Sequence, residues 1–244
     1  MGLTIHYDLN TDLRNPQDVR RLLDTVRQHA LDLPFKQVDE VMEFQGEERA
    51  WNNKADPDRW VKIQAAGHLA DGDTHYSVPA KHIIALSTWP GDGCEQANFG
   101  FCSYPAYFKT EKRRFATKLK GWRWHSFCKT QYASDPKFGG MENFLRCHLS
   151  VIKLLDFIKA TGLVTVEVAD EGGYWQNRDA KKLVQEVGDW NEFVAGCVSA
   201  FRSVAESAGK TFEAPITGFP NFEHLEAKGS KRVADLRDKL GLED

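Results

Sequence analysis

An α+β fold, a largely antiparallel β-sheet covered by helices, is what this sequence predicts, and three observations carry the reading. Residues 3–9 and 121–132 alternate their side chains with the period of two that a strand imposes. The β-like segments between residues 60 and 103 are separated by short turns, at Asp71-Gly72-Asp73 and Pro90-Gly91-Asp92-Gly93, which favours antiparallel pairing. Residues 141–161 and 178–208 repeat apolar side chains at helical spacing, giving stripes that can lie on such a sheet.

Taken in order, Leu3, Ile5, Tyr7 and Leu9 form one face of a first strand, and Thr4, His6 and Asp8 the other. Asn15-Pro16 is a cap and first-turn pair, and Val19, Leu22, Leu23, Val26 and Ala30 continue as a helix up to the Leu33-Pro34 break. Residues 35–44 read as a second strand, and 60–103 as three more: VKIQAAGHL, HIIALSTW and NFGFCSY. A basic linker leads to the strand at 121–132. Gly139-Gly140 then opens a helix over 141–161, with a Glu142–Arg146 pair on its surface and Gly162 as its stop. LVTVEV is a further strand, and 178–208 a further helix. From about residue 209 the chain is polar, with a short amphipathic helix around Val233 that docks on the body or frays. The whole, 1–244, reads as a single domain, in which 3–44 and 121–168 are candidate pseudo-repeats, two ferredoxin-like (split βαβ) halves.

Composition narrows the function classes. With 41% hydrophobic and 27% charged residues the chain is an ordinary globular one. A net charge of −3 gives no overall attraction to nucleic acid or anionic membranes. The opening residues hold no basic region followed by an apolar core, and no apolar run approaches membrane-spanning length, so a soluble, cytoplasmic protein is expected, with no membrane partner. Five cysteines without a Cys-x-x-Cys pair read as mostly buried, reduced thiols. No Walker loop, G-x-G-x-x-G, G-x-S-x-G or H-E-x-x-H occurs, so no cofactor is assigned and no metal is expected.

The densest chemistry sits in GWRWHSFCKTQY, residues 121–132, which crowds two Trp, a His, a Cys and a Tyr into one strand-like segment. Alternation puts Trp122, Trp124, Ser126, Cys128, Thr130 and Tyr132 on one face and Arg123, His125, Phe127, Lys129 and Gln131 on the other. His148 lies beside the apolar stripe of the 141–161 helix, and Asp170-Glu171-Gly172-Gly173-Tyr174-Trp175 follows a strand, where loops commonly carry function. These suggest a polar-aromatic pocket for a small polar ligand, with acid-base or hydrolytic chemistry. His125 or His148 would be the base, Asp170 and Glu171 the partner acids, and Trp124, Tyr132, Tyr174 and Trp175 the walls. Cys94 or Cys128 would be the nucleophile in a covalent variant, with Cys94 in a glycine loop that offers backbone N–H groups. His6-x-Asp8 points two potential ligands the same way, although an exposed polar strand face has the same pattern. Each of these residues also has an ordinary structural explanation: a satisfied core histidine, an acidic turn, a packed thiol.

Two readings from other classes compete. Residues 109–123 hold seven Lys or Arg against one Glu, the footprint a non-enzymatic protein would use against an acidic partner or nucleic acid; without an accompanying motif, nucleic acid is the less favoured partner. Exposed aromatics would instead mark an adaptor's protein interface.

Overall fold

In the first strand, β1 (Thr4–Thr11), Ile5, Tyr7 and Leu9 are wholly buried and His6, Asp8 and Asn10 only half so, as the alternation requires. The computed structural model of the protein describes residues 3–51, 53–71, 74–110 and 113–240. α1 (Pro16–Leu31) begins where the Asn15 side chain accepts from the Gln17 N–H, and it buries Val19, Leu22, Leu23, Val26 and Ala30. The strand expected over 35–44 is two short ones, β2 (Gln37–Val38) and β3 (Met42–Gln45). Arg27 breaks it: its Nε donates to the Asp39 carbonyl at 2.7 Å and its Nη2 to Glu40 at 2.5 Å, drawing both residues away from a continuous ladder.

VKIQAAGHL, expected as a strand, is divided. Its first half lies in α2 (Arg59–Gln64) and only its end in β4 (Gly67–Asp71). Val61 and Ala65 are buried at helical i,i+4 spacing, and Lys62 is held by Asp56 at 2.7 Å, contacts that override the β-like composition. β4 pairs with β5 (Thr74–Val78); positions 72 and 73 of the turn lie outside the described residues. β6 (His82–Trp89) and β7 (Ala97–Ser103) form the expected central hairpin. The basic linker holds a small hairpin of its own, β8 (Tyr107–Lys109) and β9 (Arg114–Ala116), with positions 111 and 112 outside the described residues.

β10 (Trp122–Lys129) is shorter than the 121–132 reading: Gln131 to Ser134 turn into a 3-10 helix, so Tyr132 leaves the alternation. α3 (Gly140–Ala160) follows, and Gly162, at φ +69, takes the left-handed conformation that ends a helix. Among the described residues Arg146 does not form the expected ion pair with Glu142; it reaches across to the Pro34 and Pro90 carbonyls at 2.5 and 2.9 Å. β11 (Thr165–Asp170), a single-turn α4 (Tyr174–Asn177), α5 (Ala180–Ser207) and α6 (Phe222–Leu240) complete the chain.

The fold is α+β, as the sequence predicts. The main sheet has the order β11-β1-β10-β7-β6-β2, with β3 also on β6, and every pairing is antiparallel. It follows that β10 and β11 run parallel with β1 between them, a split βαβ unit around α3. β1 and β2 also run parallel, yet three strands separate them. The two strand-helix-strand units thus differ in span. One core joins Ile5, Tyr7 and Leu9 of β1, Trp122 and Trp124 of β10, and the buried stripes of α1 and α3.

The polar tail docks. α6 lies along α5, and the two cross where Gly196 meets Gly229: a Cβ on either would collide with the other helix's backbone. A buried amide chain ties α5 to the sheet. Gln131 accepts from the Leu3 N–H at 3.0 Å and donates to Asn191 at 2.9 Å, which in turn donates to Ser134. Among the described residues, no helix is long and apolar enough to cross a membrane.

Candidate functional site

Register decides which residues can act together. In the β1–β10 ladder Ile5 faces Cys128, Tyr7 faces Ser126 and Leu9 faces Trp124, all on the buried face; His6 faces Phe127, Asp8 faces His125 and Asn10 faces Arg123, on the other. β11 extends both sets, with Asp170 opposite Ile5 and Glu167 opposite Asp8. The helices therefore cover the Trp, Ser and Cys face of β10, and His125 looks outward, away from His148.

On the buried side, His148 and Asp170 do meet. His148 Nε2 is 3.4 Å from Asp170 Oδ2, and Nδ1 is 3.0 Å from the Thr130 hydroxyl, giving a Thr130–His148–Asp170 chain. With Nε2–H donating to the carboxylate, the hydroxyl donates to Nδ1, the connectivity of a nucleophile-base-acid relay. Asp170 also accepts from the Gly172 and Trp175 N–H groups at 2.9 Å each, fixing the turn after β11. Burial pushes its pKa up, but His148 and those two N–H groups outweigh it and hold the carboxyl below its ordinary value. Thr130 and His148 are fully buried, and Gly172, where a Cβ would collide with Leu183, closes the remaining space. All three side chains are thus buried and hydrogen-bonded to one another.

The other predicted residues disperse. Glu171 is exposed, and its Oε2 accepts from the Thr4 N–H at 2.8 Å. Cys128 is buried, donates to the Glu95 carbonyl at 3.3 Å, and has its thiol pKa pushed up by burial first and Glu95 second. The Trp124 indole donates to the Asn98 carbonyl, which also accepts from the Tyr7 hydroxyl. Tyr132 packs against the apolar residues between α5 and α6, under the Lys129 ammonium. Tyr174 and Trp175 lean on the core, with the Arg178 guanidinium 4.7 Å from the Trp175 ring. Among the described residues Cys94 has no hydrogen bond to a histidine; it packs against the cluster that contains Cys147.

On the open side a different constellation forms. Glu167, Asp8 and His125 lie in one row across β11, β1 and β10, and His125 Nδ1 is 3.1 Å from Asp8 Oδ1 with both side chains at least half exposed. The next row holds Thr165, Asn10 and Arg123, whose Nε donates to Asn10 Oδ1 at 2.8 Å. Asn10 and Thr165 also line a cleft of about 480 Å³ with Asp12, Lys120 and Leu163. Successive outward residues on a strand are about 6.7 Å apart, so this cleft opens one row from the His125–Asp8 pair. A more apolar cleft, about 830 Å³, lies at Glu47, Arg49, Trp51 and Pro79; neither is lined by His148 or Asp170.

No protein-family model matches this chain. Neither a curated protein nor a solved structure matches it either. Among the described residues, no group of three or more His, Cys, Asp or Glu side chains is arranged to hold a metal ion.

Sequence reasoning had His125 and the His6-x-Asp8 pattern but missed Asn10, Lys120 and Glu167, which join them only through strand order. Alternation told which residues share a face. It carried no sign of which strands are neighbours.

Proposed function

We propose that the protein binds a small polar ligand in the cleft beside Asn10 and Thr165 and on the open sheet face next to it, with the His125–Asp8 pair as acid and base. The observation that carries this reading is the exposed Glu167–Asp8–His125 row beside the cleft. Asp8 orients the imidazole through Nδ1, so Nε2, which has no protein partner among the described residues, is the atom placed to take or give a proton. Lys120 and Arg123 suit an anionic group on the ligand, and Asp8 and Glu167 a hydroxyl or amine. Those two carboxylates also favour a small ligand over a polyphosphate chain, which they would repel. Five free thiols fit a reducing, cytoplasmic setting.

The test is a two-dimensional NMR titration of the full chain with glycine, ethanolamine, acetate and inorganic phosphate as probes. The expected result is shifts gathered at Asn10, Asp12, His125 and Thr165 for at least one probe, weakened at least fivefold in His125→Ala. Shifts confined to the Trp51 cleft, or none for any probe, would sink the proposal.

A further inference from the structure

A second cluster lies where the loop after β6 presses on the first turns of α3, separate from the open face. Gly91 and Gly93 both adopt positive φ, +155 and +80, and a Cβ on Gly91 would meet Cys147 Sγ at 2.8 Å and run into Arg146. The loop backbone therefore sits directly on this thiol. Cys94, whose N–H closes the turn onto the Gly91 carbonyl at 3.1 Å, packs against the buried cluster that contains Cys147. Arg146 Nη2 donates to Cys147 Sγ at 3.3 Å, and Asn143 Oδ1 is 3.6 Å from the same sulfur. The surroundings are fastened: Asn143 donates to the Asp92 and Ala133 carbonyls, and Lys36 holds the Asp92 carboxylate at 2.6 Å.

We propose that Cys94 and Cys147 form a reversible redox pair, a modification site at which a small peroxide converts two neighbouring thiols into a disulfide. The two sulfurs have unequal roles. The Cys94 thiol, and then Arg146, lower the Cys147 pKa against burial and Asp92; Cys147 and burial raise that of Cys94, which keeps its proton. The Cys147 thiolate attacks one peroxide oxygen, the O–O bond breaks, and hydroxide leaves, giving a sulfenic acid. Cys94 sulfur then displaces the sulfenic oxygen; its proton leaves with that oxygen as water, and an S–S bond of about 2.05 Å forms. Two thiols lose two electrons, and the peroxide gains them. Cys147 itself is buried while Cys94 is part exposed, so peroxide enters from the loop side by local opening. The bond would pin residues 90–95 to α3.

The neighbouring buried Cys128, electrostatically coupled to both Cys94 and Cys147, is the built-in competitor. Native full-length protein is treated with a few equivalents of hydrogen peroxide, alkylated under denaturing conditions, digested and mapped by mass spectrometry. The expected result is one dominant cross-linked peptide pair, Cys94–Cys147, lighter by two hydrogens and returned to free thiols by dithiothreitol. Cys94→Ser should abolish it and leave a dimedone adduct on Cys147. A dominant link through Cys128, random linkage among the five cysteines, or no link at doses that oxidise free cysteine overturns the pair. The wild-type map decides the matter by itself if Cys94→Ser folds poorly.

Discussion

The same sheet carries two His–Asp pairs on opposite faces, and they differ in almost every physical respect. His148–Asp170 is sealed: its atoms have protein partners on all sides, and removing any one leaves a buried group without its bond. His125–Asp8 is at least half exposed, and water stands ready to replace either partner. The buried pair has the connectivity of a catalytic relay, and the open pair has the exposure that a ligand needs. Hydrogen-bond order alone therefore identifies no active site; access has to accompany it.

Substitutions should separate the two pairs, the largest effect coming first. His148→Ala is expected to lower stability in chemical denaturation by about 3 kcal/mol or more, through the cavity and the abandoned Asp170. Asp170→Asn should cost about 2 kcal/mol near neutral pH, because an amide cannot accept from His148, Gly172 and Trp175 together. This gap depends on pH. The folded Asp170 lies below its ordinary value of 3.8, so its contribution is full well above pH 4 and fades as the pH falls through the folded value. Denaturation curves of wild type and Asp170→Asn should therefore converge in acid; parallel curves would show that the carboxylate's charge is not what the network uses. Thr130→Val should cost about 1 kcal/mol, since Nδ1 loses its only donor in the network. His125→Ala should stay within about 0.5 kcal/mol of wild type. Histidine acylation by diethylpyrocarbonate, followed by peptide mapping, gives the complementary readout: His125 should react in the native protein and His148 only after unfolding.

How much of this was legible in the chain depends on the range of the interactions. Local rules served α1, with its Asn15-Pro16 start, α3, with its Gly162 stop, and β1, whose alternation the burial follows. They failed where a distant group intervened, as Arg27 does at Asp39 and Glu40, or where Lys62 and Asp56 turned a β-rich stretch into α2. His148 and Asp170 were each visible as chemistry, but not that they would meet around Thr130 with no space left over. Cys147 falls among the five thiols that read as mostly buried and reduced, because nothing in its neighbours predicts that a loop 53 residues earlier in the chain brings Cys94 close to it. The C-terminal segment read as a polar tail because its polar residues outnumber the apolar ones. Four of its apolar side chains, Ile216, Phe219, Phe222 and Leu225, are buried against α5.

The place of β1 between β10 and β11 bears on the order of events in synthesis. Its first residue contacts, Leu3 with Gln131 and Thr4 with Glu171, span 128 and 167 positions. At about 5–20 residues per second, roughly 6–26 seconds pass between the emergence of Leu3 and that of Gln131. During that interval an edge rich in Leu, Ile and Tyr waits unpaired, while the β6–β7 hairpin has already closed on itself. Among the described strands β1 thus precedes its partners by the longest interval, and it is where a folding helper would have its longest opportunity to bind.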